Sequence, residues 1–245
     1  MPRFFIRQNQ IENDLIHIVG EDAHHIARAL RMAQGEKIEV VDMQSNLYNC
    51  TLVEFIQDKE VVAKIDSQEK CDTEPSHKIT LYQALPKSDK METIIQKSVE
   101  CGVFEIVPFN SERCIAKLDK KDSDKKIARW QKIAEGASKQ SGRGLIPQVK
   151  EVLSFAQMIE DAKKKDLVLF CYEAENGETI KNALSQVKPT DTIALIVGSE
   201  GGFSIKEAEQ IKQNGIKSVG LGKRILRCET APAFALACIM YETEL

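Results

Sequence analysis

The stretch from Thr192 to Ile211, TIALIVGSEGGFSIKEAEQI, restricts the fold more than any other part of the chain. A run of β-branched and aliphatic residues without alternation reads as a strand covered on both faces, because a half-exposed strand would carry polar residues at every second position. The run stops at Gly198, crosses Ser199-Glu200-Gly201-Gly202, and resumes at Ser204 with helical spacing. Ser204 and Glu207 have the separation of a capping box, so the helix is expected to begin directly after the glycines. A strand covered on both sides and followed at once by a helix is the repeating unit of an α/β fold with a parallel sheet.

Four further runs have the same character: ITLYQAL (79–85), FEIVPF (104–109), LVLFCY (167–172) and SVGLG (218–222). Helical spacing separates them. Met91, Ile94, Ile95, Ser98 and Val99 fall on one face, as do Ile127, Trp130, Ile133, Ala134 and Ala137, and Ser154 with Gln157 forms a second capping box. KLDKKDSDKK (117–126) reads as a solvated helix entry. The first part of the chain differs. RFFIR, LIHIV, KIEVVDM, NCTLVEFI and VVAKI are short strands around one helix-like piece, EDAHHIARALRM, as in a small β-barrel. The segment from Asp66 to Lys78 is almost without apolar residues and contains Pro75, which marks it as the linker. The expected division is a β-rich domain over residues 1–70 and an α/β domain over 76–245.

Composition mainly excludes. Lys and Arg number 34 against 37 Asp and Glu, a formal net charge of −3, so bulk charge does not announce a nucleic-acid binder, although a local basic face is compatible with it. Seven scattered cysteines with no C-x-x-C and no histidine pair at ligand spacing indicate a reducing cytoplasm and no metal. No apolar run has the length of a signal peptide core or a membrane span, so the expected protein is soluble, cytoplasmic and without membrane contact.

A strand–glycine–helix junction presents free N–H groups at the carboxyl edge of a parallel sheet, where open α/β folds bind ligands. Neither G-x-G-x-x-G nor G-x-x-x-x-G-K-[ST] occurs, so a phosphate cradle is not favoured. A second glycine-ended strand, SVGLG, leads into the basic turn Lys223-Arg224 and Arg227, and then Glu229-Thr230 open a strongly apolar terminal helix. Two such loops in one sheet can face a single cavity.

GSEGGFS (198–204), LGKRILRCETA (221–231), KMETIIQKSVECGVFEIVPFNSERC (90–114), SKQSGR with Pro147 (138–147) and PRFF (2–5) together resemble the RsmE family of ribosomal RNA methyltransferases, nearly end to end. The resemblance implies an α/β fold with a SPOUT-type parallel sheet and C-terminal trefoil knot, preceded by a small PUA-like β-barrel that binds RNA. It also implies a homodimer and S-adenosyl-L-methionine as methyl donor, with N3 of a uridine in 16S rRNA of the 30S subunit as acceptor. The family commonly has proline where this chain has Ser199, which is expected to loosen the turn while keeping its backbone donors.

On that resemblance the largely neutral adenosyl group is expected against backbone and apolar walls from Leu195, Val197, Gly198, Gly201, Gly202, Leu221, Gly222, Ile225 and Leu226. Transfer to uridine N3 requires loss of a proton or stabilisation of charge on the flanking carbonyls. Arg227 suits the second task, and Glu229 or Glu200 the first. Arg113 stands where related enzymes carry a functional arginine. Arg3, Arg28, Arg31, Gln140, Arg143 and Arg224 are the expected RNA contacts, with Arg7, His24 and His25 more ordinary surface residues. Two alternatives remain. A ribose 2′-O-methyltransferase would carry Asn- and Ser-rich sequence where this chain has RCETA, and a non-catalytic ribosome assembly factor would have no need of the glycine loops.

Overall fold

The computed structural model of the protein describes residues 1–57, 59–115, 118, 120–173, 178–185, 187–188 and 191–245, with the side chains at 120 and 121 excepted. Two positions of the expected helix entry, Lys117 and Asp119, lie outside the described residues. The chain divides into two compact units, Met1–Glu74 with Ser138–Ile146, and Pro75–Ala137 with Pro147–Leu245.

In the first unit the strands are β1 (Arg3–Phe5), β2 (Ile11–Glu12), β3 (Leu15–Val19), β4 (Lys37–Val41), β5 (Asn46–Ile56) and β6 (Glu60–Lys70). They form one curled sheet in the order β1-β4-β5-β6-β3-β2, antiparallel except for β1 against β4. Among the described residues hydrogen bonding ends at β1 on one side and β2 on the other, so the expected small barrel takes the form of a curled sheet. Phe4, Ile16, Ile18, Ile38, Val40, Leu52, Val61 and Ala63 alternate inward along the strands and make the core. The expected helix is a single turn, α1 (Glu21–His24), followed by a π-helical turn over His25–Ala29. Arg31 leaves that turn in the left-handed region at φ 52°.

Sequence-remote pieces are latched together inside this unit. Glu74 receives Nε of Arg143 at 2.9 Å, its Nη2 at 2.6 Å and the Gly144 N–H at 2.7 Å. Arg3 pairs with Glu39 at 2.7 Å and donates to the Gly142 carbonyl, which also accepts from Thr73 Oγ1 at 2.7 Å. The Arg143 side chain is only 4% exposed. Arg3 and Arg143, expected on the RNA, are therefore spent as internal struts, because each guanidinium, itself less than a tenth exposed, is already forked onto a half-buried carboxylate. The linker is also shorter than expected, since β6 runs on to Lys70 and β7 begins at Lys78.

The second unit carries β7 (Lys78–Ala84), α2 (Lys90–Glu100), β8 (Glu105–Asn110), α3 (Lys120–Ser141), β9 (Gln148–Val149), β10 (Leu153–Ser154), α4 (Phe155–Ala162) and β11 (Leu167–Cys171). It continues with α5 (Ile180–Leu184), β12 (Thr192–Val197), α6 (Ile205–Gln213), β13 (Lys217–Val219) and α7 (Ala231–Thr243). The division between units falls within α3, whose last turn is counted with the first unit. The sheet runs β10-β8-β7-β12-β11-β13, with β9 also on β8, and every pairing is parallel. Ile193 to Ile196 are fully buried between β7 and β11, as an unbroken apolar run requires. Both capping boxes form: Ser154 with Gln157 opens α4, and Ser204 with Glu207 opens α6. Met91, Ile94, Ile95, Ser98 and Val99 are the buried face of α2.

Breaking one side of the Glu74–Arg143 fork leaves a buried cation without its partner. Glu74→Ala is expected to destabilise the protein by about 2–4 kcal/mol. Chemical denaturation followed by circular dichroism measures it, and a loss below about 0.5 kcal/mol, the range of an ordinary surface substitution, would show that the fork is not a strut.

Candidate active site

A parallel sheet delivers all its strand ends to one edge. The segments after β7, β11, β12 and β13 emerge there together, and between them lies a cavity of about 530 Å³, within the range of small-molecule sites. Its wall includes Val197 to Phe203 from the glycine loop, Gly220 to Cys228 from the basic turn, Cys171 to Glu173 from the end of β11, and Lys90 and Ala231 from two helix starts.

The glycine loop is held from below and from the side. Gln83, fully buried on β7, donates Nε2 to the Gly198 carbonyl at 3.0 Å. Gly202 N–H closes the turn onto the Ser199 carbonyl at 3.0 Å, so serine in place of proline leaves the turn closed. Its hydroxyl is buried and has no hydrogen-bond partner among the described residues. Phe203 then plugs the loop into the core, 4.8 Å from Phe170 edge-on and 6.3 Å from Phe109 in a stacked arrangement. The segment after β8 is tied on as well: Glu112 N–H donates to Glu207 at 2.7 Å, Ser204 Oγ to Glu112 at 2.7 Å, and Arg113 Nη1 to the Gly201 carbonyl at 3.0 Å.

These contacts say why glycine is needed. A Cβ at Gly198 would lie 3.0 Å from the Phe203 ring, one at Gly201 3.0 Å from Arg113 Cβ, and one at Gly202 2.8 Å from Glu173 Oε1. Gly202 is also left-handed, at φ 61°. The glycines thus serve the packing of the loop on its own protein neighbours, in addition to baring backbone toward the cavity.

A charged cluster sits at one side of the cavity. Lys90 Nζ lies 3.0 Å from Glu200 Oε1 and 3.3 Å from Glu229 Oε2, and Glu200 also receives the Lys87 N–H at 3.2 Å. Burial alone would raise the Glu200 carboxyl, but hydrogen bonds from Lys90, from its own backbone and from Lys87 outweigh it and hold the group below the usual range. Glu229 is lowered by its own backbone N–H first and by Cys228 and Lys90 next. Both carboxylates therefore stay ionised at neutral pH and are weaker proton acceptors than an ordinary glutamate. Burial, and then the hydrogen bond it donates to Glu229, push the Cys228 thiol up to about 12, which removes it as a nucleophile.

Of the residues read from sequence as a cofactor wall, Val197, Gly198, Gly201, Gly202, Leu221, Gly222, Ile225 and Leu226 line the cavity. Leu195 does not. It is fully buried in the middle of β12, opposite Leu81 and Leu169, and belongs to the core. Glu200, Arg224 and Arg227 are in the wall, and the Arg227 guanidinium has no ion-pair partner among the described residues. Glu229 joins the cluster through Lys90, and Arg113 is committed to the Gly201 carbonyl at the loop's outer side. Arg28, Arg31 and Gln140 are exposed. Lys90, Tyr172, Glu173 and Phe203 were not foreseen. The signal for them was present in the parallel order: every strand end of one sheet, not only the two that finish in glycine, reaches the same edge. Among the described residues no three His, Cys, Asp or Glu side chains gather as a metal site, and no helix is long and apolar enough to cross a membrane.

With this geometry in place, the relationships of the chain become informative. Residues 73–240 match the RNA methyltransferase domain family, and residues 18–66 match the RNA methyltransferase PUA domain. The fold is accordingly that of an RNA methyltransferase domain with a PUA domain ahead of it in the chain. Ribosomal RNA small subunit methyltransferase E of Bacillus subtilis (strain 168) is 35% identical, covering 100% of this chain and 98% of the relative. The protein of the same name from Mesomycoplasma hyopneumoniae (strain 232) is 37% identical, over 98% and 99%. The crystal structure of ribosomal RNA small subunit methyltransferase E from Neisseria gonorrhoeae, bound to S-adenosyl methionine, superposes with a TM-score of 0.86 at 31% identity, over 98% of this chain and 97% of that one. A Legionella pneumophila methyltransferase in complex with the same cofactor gives 0.88 at 32% identity, over 98% and 96%. The chain belongs to the ribosomal RNA small subunit methyltransferase E family.

Gly198→Ala pushes a methyl into a ring that is itself wedged between two aromatic neighbours, and Gly202→Val adds a left-handed β-branched residue. Each is expected to cost at least about 1 kcal/mol of stability and to weaken binding of S-adenosylmethionine by about tenfold or more through the altered loop. Thermal melts and titration calorimetry on both variants are the check, and wild-type affinity in either variant would remove the loop from the binding site.

Proposed function

We propose that the chain methylates N3 of one uridine in 16S rRNA, using S-adenosyl-L-methionine held in the edge cavity. The observation that carries this reading is the cavity's composition: glycine backbone and apolar side chains along most of the wall, with Arg227, unpaired among the described residues, beside them. The residues fit the cofactor, since a mostly uncharged adenosyl group is matched by backbone and by Val197, Leu221 and Leu226, and the buried unpartnered Ser199 hydroxyl adds polar capacity in the loop. Bound there, the cofactor supplies an electrophilic methyl group on a sulfonium.

The protein's own part is electrostatic. As N3 gives up its proton, negative charge spreads over the two flanking uracil carbonyls, and Arg227 is placed to hold it with a planar pair of donors. Glu200 and Glu229 are ionised and able to receive the proton, but Lys90 and backbone donors keep them weakly basic. The step therefore leans on stabilising the uracil anion more than on a strong base. Arg28, Arg31 and Gln140, all exposed, together with Arg224 from the cavity wall, remain the RNA-facing candidates.

The reading extends to a homodimer with a trefoil-knotted methyltransferase domain working in the cytoplasm on the 30S subunit. Exposed apolar side chains support the dimer: Phe234 and Tyr241 on α7, the latter 66% exposed, and Ile225, 91% exposed, on the basic turn.

Arg227→Lys and Arg227→Ala are expected to lower the single-turnover methylation rate by roughly 10²-fold or more, the size seen on losing one oxyanion-type donor, with cofactor affinity little changed. A large loss of affinity with an unchanged rate at saturation would move the catalytic role away from Arg227. Assembled 30S particles should be methylated faster than protein-free 16S rRNA, because a chain with net charge −3 has little bulk attraction for an unstructured strand. Mapping the modified nucleotide in both reactions tests substrate and atom together, and equal rates at matched salt, or methylation away from uridine N3, would refute the assignment.

A further inference from the structure

Lys90 is the first residue of α2, yet its ammonium serves two other segments. It reaches Glu200 in the glycine loop at 3.0 Å and Glu229 ahead of α7 at 3.3 Å, with Cys228 Sγ at 3.9 Å. Lys90 and Glu200 are both in the cavity wall. Three pieces of chain that come after three different strands are thus joined at one cation, beside the space that the proposed function gives to the cofactor. The role inferred for Lys90 rests on that function.

One lysine between two carboxylates leaves the cluster with a net charge of −1. Without the ammonium the same cluster carries −2 at neutral pH, since both glutamates remain ionised. The other wall cations, Lys223, Arg224 and Arg227, belong to the basic turn and have no ion pairs with either glutamate among the described residues. Lys90 is the cation that offsets these two carboxylates.

The donor and the spent cofactor differ at the sulfur: a sulfonium before transfer, a neutral thioether after it. The rest of the two molecules is the same. Lys90 and Glu200 are part of the wall of a cavity of only about 530 Å³, so a charge on a ligand that fills it stands from the cluster at a distance comparable to the Debye length, about 8 Å at physiological salt, and is not fully screened from it. Whatever the rest of the wall contributes, and it holds Glu173 as well as Lys223, Arg224 and Arg227, a cluster of charge −2 at its side would favour the sulfonium form over the thioether more than a cluster of charge −1 does.

We propose that Lys90 is a charge-setting residue of the cofactor site, which ties the glycine loop to the basic turn and fixes how strongly the cavity prefers the sulfonium donor over its thioether product. A lysine acting only as a mechanical tie would affect both ligands equally. The two roles are separable because only one of them depends on the charge of the ligand.

The test is calorimetric titration of S-adenosylmethionine and S-adenosylhomocysteine into the wild type, Lys90→Met, Lys90→Gln and Lys90→Arg, at neutral pH and constant salt, with a thermal melt of each protein alone. The ratio of the two dissociation constants is the quantity to track. It should move toward the sulfonium by roughly 3- to 10-fold in Lys90→Met and Lys90→Gln, the effect of one unit charge acting across a partly solvated cavity, and stay within about twofold of wild type in Lys90→Arg, which keeps the charge. Equal loss of affinity for both ligands in the folded Met and Gln variants, or no change for either, would overturn the proposal and leave Lys90 a strut. Failure of the wild type to bind either ligand would instead overturn the assignment of the cavity, a result distinguishable from the first.

Discussion

The common polarity of the second sheet is the constraint on which the site depends. Once β7, β8, β11, β12 and β13 run in one direction, the loops that leave them have only one edge at which to meet. The burial of β12 on both faces enforces that polarity, because a strand with no polar side has to be covered by neighbours and by helices in crossover connections. Glycine is tolerated in the loop after β12 because Gln83 and Phe203 hold its backbone where a side chain would otherwise do so.

Much of this was legible in the amino-acid order, and the reasons differ by element. The apolar runs of the second unit and the two capping boxes are local signals, decided by neighbours within a few residues, and they appear in the structure where their spacing puts them, except that the strand expected over 218–222 stops at Val219 and leaves Leu221 and Gly222 to the loop. The loop residues Gly198, Gly201, Gly202, Leu221 and Gly222 were legible for the same reason. Leu195 was misread because periodicity does not say how far from a strand's end a cavity begins. Lys90 was invisible as a site residue because its partners lie more than a hundred positions away, and no local pattern carries that information.

Arginine was the least legible residue type. Arg3 and Arg143 look in sequence like Arg28 and Arg31, but the first two face carboxylates across the first unit and the last two face solvent. The side chain is identical in each case, and what differs is exposure, because the first two are drawn in against carboxylates from remote segments. Glu39 and Glu74 make that difference, and they lie 36 and 69 positions from their arginines.

The return of residues 138–146 to the first unit has a consequence for modularity. The first unit is not a contiguous length of chain: part of its interior, the Arg143 fork onto Glu74, is delivered only after most of α3 has been made. A gene fragment ending at the linker would encode Glu74 without the cation that neutralises it, and Arg3 without the carbonyl it binds. A PUA unit moved between proteins as a simple N-terminal cassette would lack that fork, and during synthesis the Glu74–Arg143 pair has to wait until residues 75–137 of the second unit have been translated.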